Sequence, residues 1–302
     1  MSIKILSPEE IKAGHKFQQP VLLFPHLTNL YNHRRERLMQ LAESHPLKDY
    51  LLFVAKLVAA QQKALREFPL TEKLDLTPEQ LAHYPLDARI WKRDAIWLDI
   101  FKYILAEVKV DANETLLTTI EGLEKTSDKE LNELADKLLQ EDFSAVSSDK
   151  AVFIWAALMV YWRLLANGIP HSAIMESGQN LTHCPVCHAA PTASIVHMGS
   201  EQGLRYLHCS LCETEWNVVR VKCTNCDHTG KISYFMFDKE FAPIRTETCD
   251  DCKSYLKIFY QEKDPHLDVL ADDLASIFLD MKTDEKGYAR SGLNPYLFMD
   301  QE

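Results

Sequence analysis

Residues 184–212 read CPVCHAAPTASIVHMGSEQGLRYLHCSLC, and residues 223–252 read CTNCDHTGKISYFMFDKEFAPIRTETCDDC. All 8 cysteines of the chain lie in these two stretches, in four C-x-x-C pairs. Scattered structural cysteines would not fall this way. Two residues between thiolates let one tight turn aim both sulfurs at a single ion, and a second turn completes a tetrahedron. The pattern predicts two cysteine-only metal sites. One is set by Cys184, Cys187, Cys209 and Cys212, the other by Cys223, Cys226, Cys249 and Cys252.

The intervals support a tandem repeat. Loops of 21 residues (188–208) and 22 residues (227–248) separate the sequential pairs, and Cys184 to Cys223 and Cys209 to Cys249 are shifts of 39 and 40. Each unit reads as knuckle, strand, turn, strand, knuckle, strand, the spacing of zinc ribbons and related folds. An interleaved pairing, first knuckle with third and second with fourth, has matched intervals too, 35 and 36 residues. Sequential pairing is preferred because it closes shorter loops within each unit. A four-thiolate tetrahedron suits zinc or iron. Spacing alone puts zinc first and a rubredoxin-type iron second. His183, His188, His208 and His228 crowd the knuckles, but four thiolates already fill each site, so they read as surrounding residues. A thiol redox motif of thioredoxin type would need one C-x-x-C beside a βαβ pattern, which is absent from the sequence pattern.

Outward from the cysteines the texture changes. Residues 1–177 carry helical periodicity. Leu30 to Leu41 forms one segment, stopped at His45-Pro46, and Leu47 to Phe68 another, stopped at Pro69. Asp87 is expected to open a helix through Trp91, Ile96, Ile100 and Ile104. Ser127 with Glu130 reads as a capping box. Ser148 or Asp149 is expected to cap a buried helix over 151–166, closed by Asn167-Gly168 and Pro170. A boundary is expected at Glu176 to Asn180. Strands are expected at Ser194–Met198, Leu204–His208, Trp216–Val221, Ile232–Phe237 and Leu256–Tyr260, with Gly199 and Gly203 bracketing a turn. Asp264 and Pro265 are expected to start a last helix, with Leu267, Leu270, Leu274, Ile277, Phe278 and Met281 on one face and Gly287 as its stop. The predicted class is therefore α+β. An N-terminal helical bundle (1–177) precedes two tandem rubredoxin-like or zinc-ribbon-like metal modules (178–263, about 181–221 and 222–263), then a C-terminal helix and tail (264–302).

Composition narrows the function. Hydrophobic residues make up 46% and charged residues 25%, ordinary for a chain that buries a core. The net charge of −11 has no basic block: residues 181–263 carry 9 Lys/Arg against 10 Asp/Glu. That argues against nucleic acid as a partner. The longest apolar run, Ala151 to Trp162, is too short for the roughly 20 residues a membrane span needs. The first residues lack a basic and then apolar leader, so a cytoplasmic chain is expected, where clustered cysteines are metal ligands rather than disulfides. Arg34, Arg35 and Arg37 read as a solvated helix face rather than a docking patch. Asp272-Asp273 reads as helix-start charge or a buried contact. No phosphate loop, catalytic triad or isolated carboxylate pair is visible, so no catalytic residue is assigned and no independent enzyme activity is expected.

At the knuckles the sequence resembles the FdhE-type formate dehydrogenase accessory proteins. The resemblance is carried by Cys184–Cys187, Gly203–Cys212, Glu215-Trp216, Arg220–Cys223, Glu247–Cys252 and Tyr255-Leu256-Lys257. It extends to Ala271–Ala275, Asn294–Leu297 and, in the helical half, Arg34–Leu41 and His45-Pro46-Leu47. It covers nearly the whole chain, with no cysteine missing. It implies a cytoplasmic helper needed for active respiratory formate dehydrogenase, a molybdenum or tungsten selenoprotein whose catalytic subunit is exported folded. The helper would bind that subunit during maturation. The resemblance also implies rubredoxin-like knuckles associated with iron, which moves the expected metal from zinc towards iron.

Overall fold

The computed structural model describes residues 20–27, 29–69, 74–82, 84–169, 181–199, 203–237 and 242–298. The boundary expected at 176–180, Pro170 and the first residues lie outside them. The helical half contains α1 (Leu30–Ala42), α2 (Lys48–Glu67), α3 (Pro78–Ala82), α4 (Ile96–Lys109), α5 (Glu114–Lys125), α6 (Asp128–Leu139), a 3-10 turn (Phe143–Ala145) and α7 (Ser148–Asn167). Helix α7 is the axis of the bundle. Every residue from Ala151 to Ala166 is buried, because α2, α4, α5 and α6 pack around it. Two of its polar groups find partners inside the protein. Trp162 Nε1 donates to Leu86 O at 2.9 Å, and Gln61 Nε2 donates to Ala156 O at 2.9 Å. The apolar run thus belongs to a helix surrounded by protein, and no helix among the described residues is long and apolar enough to cross a membrane.

Ser127 caps α6 as expected, accepting from Glu130 N at 3.2 Å. Three expectations are corrected. Asp87 does not open a long helix. It holds a turn through Arg89 N and Trp91 N, and α4 starts only at Ile96. Ser147, rather than Ser148 or Asp149, stands at the start of α7, with no side-chain cap bond. Arg34 and Arg37 are not solvated. Tyr31, Arg34, Leu38 and Ala42 fall at helical spacing on the inward face of α1, and Arg35 alone of the three arginines is exposed.

The strands form one eight-stranded sheet, β1 (Leu22–Leu23), β2 (Pro191–Val196), β3 (Arg205–Cys209), β4 (Glu215–Val218), β5 (Ile232–Phe235), β6 (Ile244–Cys249), β7 (Ser254–Tyr260) and β8 (Ala289–Arg290), in the order β1-β4-β3-β2-β7-β6-β5, with β8 on β7. Each cysteine unit is a three-stranded antiparallel meander, β2-β3-β4 or β5-β6-β7. The units join head to tail where β7 adds parallel to β2, pairing Ser194 with Ile258 and Val196 with Tyr260. The buried Arg205–Glu247 pair, at 2.8 Å, bridges β3 of one unit and β6 of the other. Strand β6 fills the place that the repeat gives a second strand in the second unit, but no local pattern marks its range, because Arg245, Thr246, Glu247 and Thr248 look like loop. Inside the sheet Glu247 accepts from Tyr234 Oη at 2.9 Å and Thr248 Oγ1 donates to Ser233 O at 3.2 Å, while Thr246 Oγ1 contacts Thr283 Oγ1 at 3.1 Å.

The C-terminal helical segment begins later than expected and divides. Asp268, not Asp264, is the N-cap, accepting from Leu270 N and Ala271 N, while Asp264 closes a turn on His266 N. Helix α8 (Val269–Ala275) then breaks at Ser276 before α9 (Ile277–Asp284). The break has visible causes. Lys257 Nζ donates to Asp273 O at 2.8 Å and Ser276 Oγ at 3.0 Å, and His45 Nε2 contacts Ala275 O at 2.8 Å. The apolar face therefore does not continue. Leu267, Leu270 and Leu274 are buried, but Phe278 and Met281 are exposed.

Candidate metal centres

Each knuckle is built the same way. The residue after its second cysteine takes a left-handed backbone: His188, Glu213, Asp227 and Lys253 have φ of 63°, 61°, 68° and 55°. This reversal folds the chain back so both sulfurs face one point. His188 N donates to Cys184 O at 2.8 Å and Asp227 N to Cys223 O at 3.1 Å, closing equivalent turns. None of the four is glycine, so the surrounding structure sustains a conformation that costs an L-residue about 1 kcal/mol.

The eight cysteines gather into two groups, Cys184, Cys187, Cys209, Cys212 and Cys223, Cys226, Cys249, Cys252, with the four sulfurs of each within 4.8 Å of one another. The sequential pairing is thus the one the fold adopts. In the first group Cys184 Sγ and Cys212 Sγ are 3.6 Å apart, and Cys187 Sγ and Cys209 Sγ 3.4 Å. In the second, Cys223–Cys252 and Cys226–Cys249 are both 3.7 Å. Sulfurs at tetrahedral corners about 2.3 Å from an ion lie about 3.8 Å apart. Both groups can therefore hold a metal ion, and soft thiolate donors suit zinc or iron.

Electrostatics makes the same demand. Burial pushes the Cys184 and Cys187 thiols well up and the Cys223 thiol to about 12. Burial also opposes ionisation at Cys212 and Cys252, but there hydrogen bonds win. Neighbouring thiols and Thr214 draw Cys212 well down, and Ser254 and Asn225 help draw Cys252 to about 6. Protein hydrogen bonds favour a thiolate at the same position in both groups, the last cysteine of each. Four thiolates together require a cation. The supporting hydroxyls repeat as well, Thr214 and Ser254, each two residues after the last cysteine of its unit. The repeat is present in the sequence as Cys212-Glu213-Thr214 and Cys252-Lys253-Ser254.

The groups differ in setting. All four cysteines of the first are fully buried in the same hydrophobic core as α7, and Trp155 Nε1 on α7 donates to Ser210 O in the knuckle at 3.0 Å. In the second, Cys226 and Cys252 are partly exposed. Glu213, beside Cys212, is clamped by Arg34 of α1 and by Arg163 of α7 at 2.8 Å, and all three side chains are fully buried. Asp268, 3.0 Å from Arg34, supplies the second carboxylate of this network. Sequence reasoning missed Glu213 because its partners lie 50 and 179 residues away. The histidines surround the knuckles as expected. His183 stacks on His188, His208 contacts Glu215 at 3.0 Å, and His228 lies 3.7 Å from Cys226 Sγ. Asp272 and Asp273 are buried contacts, to Arg37 and to Lys257 with Arg290.

Family profiles match three consecutive stretches: "FdhE, N-terminal" over residues 19–179, "FdhE, central domain" over 183–220 and "FdhE, C-terminal domain" over 221–297. The chain is 54% identical to a protein FdhE homolog of Haemophilus influenzae (strain PittEE) over 307 residues, covering 100% of both. It is 49% identical to protein FdhE of Escherichia coli (strain K12), covering 99% of this chain and 98% of that one. The crystal structure of the FdhE protein from Pseudomonas aeruginosa superposes with a TM-score of 0.85 at 37% identity, over 93% of this chain and 100% of that chain. With sequence and fold matched along its length, the chain belongs to the FdhE family.

Proposed function

We propose that this chain is a cytoplasmic accessory factor that binds the catalytic subunit of formate dehydrogenase and is needed for its assembly or activity. Membership of the FdhE family over the full length carries the reading. The eight cysteines ligate two metal ions, four to each, iron in preference to zinc. The chain divides into a helical domain (1–177), two tandem metal modules (178–263) and a C-terminal segment (264–302). The helices supply bulk and one docking surface, the modules a rigid second one. The chain acts by binding rather than by catalysis of its own, and neither nucleic acid nor membrane insertion is part of that role. An anaerobic affinity pull-down from formate-dehydrogenase-expressing cells tests this. Recovery of the catalytic subunit, lost in Cys249→Ser together with metal, is expected. Recovery of nucleic acid without the subunit would instead favour a zinc-ribbon nucleic-acid binder.

The partial exposure of Cys226 and Cys252 supports a second reading, a rubredoxin-like single-electron role for an iron in the second group. Reversible bleaching of visible absorbance on reduction is its signature, and a colourless, zinc-filled native protein rejects it.

A further inference from the structure

The two cysteine units treat equivalent strands differently. In the first, β2 is the strand that follows the opening knuckle, and its outer edge is taken by β7, added in parallel. Ser194 Oγ donates to Lys257 O at 3.3 Å across that junction. All six residues of β2 are buried. In the second unit the counterpart is β5, at the end of the sheet, paired with β6 on one side only. Among the described residues no strand lies on its other side. Ser233 is exposed, the rest of β5 is only partly buried, and Phe237 just beyond is 64% exposed.

The ladder fixes which groups face outward. Asp250 N donates to Lys231 O at 3.1 Å, so Lys231 and Asp250 form a hydrogen-bonded pair. Antiparallel pairs alternate, so the amides and carbonyls of Ile232 and Tyr234 point away from β6. Such an edge is a template for an added strand. We propose that the free edge of β5 docks an extended segment of a partner protein, added parallel to β5 as β7 is added to β2. The segment carries successive aliphatic and aromatic side chains, as Ile258, Phe259 and Tyr260 do on β2. A second copy of this chain cannot continue the sheet head to tail, because the strand it would offer, β4, is already covered by β1, through Leu22 against Trp216 and Leu23 against Glu215. The inference does not depend on which protein the partner is.

The test titrates the full chain, purified anaerobically, against a fluorescein-labelled peptide copying residues 254–261, Ser-Tyr-Leu-Lys-Ile-Phe-Tyr-Gln. Anisotropy reports binding, and amide hydrogen exchange by mass spectrometry locates it. Saturable binding is expected, with slowed exchange across residues 232–236. Tyr234→Pro removes an outward N–H at an edge position that tolerates proline and should weaken binding about tenfold, while Tyr234→Phe keeps the N–H and the affinity. If the proline variant does not fold, exchange in the unaltered chain decides. Absence of saturable binding, protection confined to other segments, or equal affinity in a folded Tyr234→Pro variant overturns the proposal. So does a dimer by light scattering whose β5 amides are protected without peptide, which would make the occupant a second copy.

Discussion

Glu213 holds a left-handed turn beside Cys212 and sits between two buried guanidiniums. Replacing it with glutamine keeps the shape and removes the charge that Arg34 and Arg163 share. Breaking a buried pair from one side costs about 3–5 kcal/mol. Glu213→Gln should therefore lower the urea midpoint sharply, and a shift under 1 kcal/mol would mean that the clamp is no stronger than a surface pair. Glu215 yields a pH prediction. Burial works against its charge, but hydrogen bonds from His197 and His208 hold its carboxyl down at about 2. Its unfolded value is about 4.3, so its contribution is fully present above that pH and is lost as pH falls towards 2. Glu215→Gln should flatten the decline of the urea midpoint between about pH 5 and 3, and an unchanged acid limb would assign that decline to other groups.

At the level of elements, the segment after β8 ties the two units together. Ser291 N donates to Tyr255 O on β7 and Leu293 N to Pro191 O on β2, and Asn294 Nδ2 reaches Leu270 O and Asp273 on α8. This strap crosses the sheet at Gly292, where a Cβ would lie 2.5 Å from Thr192 O and 2.6 Å from Leu256 Cδ1. A backbone oxygen cannot yield as a side chain can. Gly292→Ala should cost about 1–3 kcal/mol and speed exchange of the amides of β2 and β7 at their junction. Wild-type stability would show that the strap moves freely. The sequence announced the glycines at 199 and 203, where φ of +87° and +79° suits the β2–β3 turn. Gly292 gave no such sign, because its constraint is the approach of strands about 35 and 100 positions earlier in the chain. The division of α8 from α9 was hidden for the same reason, since Lys257 and His45 impose it from outside the helix.

Across the whole molecule, the two metal groups are unequal in access. The first is sealed inside the core that α7 organises, whereas the second opens to solvent through Cys226 and Cys252. A chelator should therefore remove metal in two steps, from the second group in the native state and from the first only with unfolding. Cys226→Ser should abolish the early step and leave the helical circular dichroism and its melting intact, while Cys184→Ser should disturb both. Simultaneous release of both metals would show that the groups are equally exposed in solution.

The eight cysteines, their four pairs, the change from helix to strand and the buried length of α7 were legible in the sequence alone. Each rests on local spacing or periodicity, which neighbours in the chain determine. The choice of sequential over interleaved pairing, the fusion of two units into one sheet through β2 and β7, and the inward turn of Arg34 and Arg37 were decided only in the tertiary structure. Loop length favoured the sequential pairing without excluding the interleaved one, and local pattern marks an arginine on a helix as a surface residue. A buried guanidinium becomes stable only when carboxylates such as Glu213, Asp268 and Asp272 arrive from distant segments, and no local pattern encodes where those segments meet.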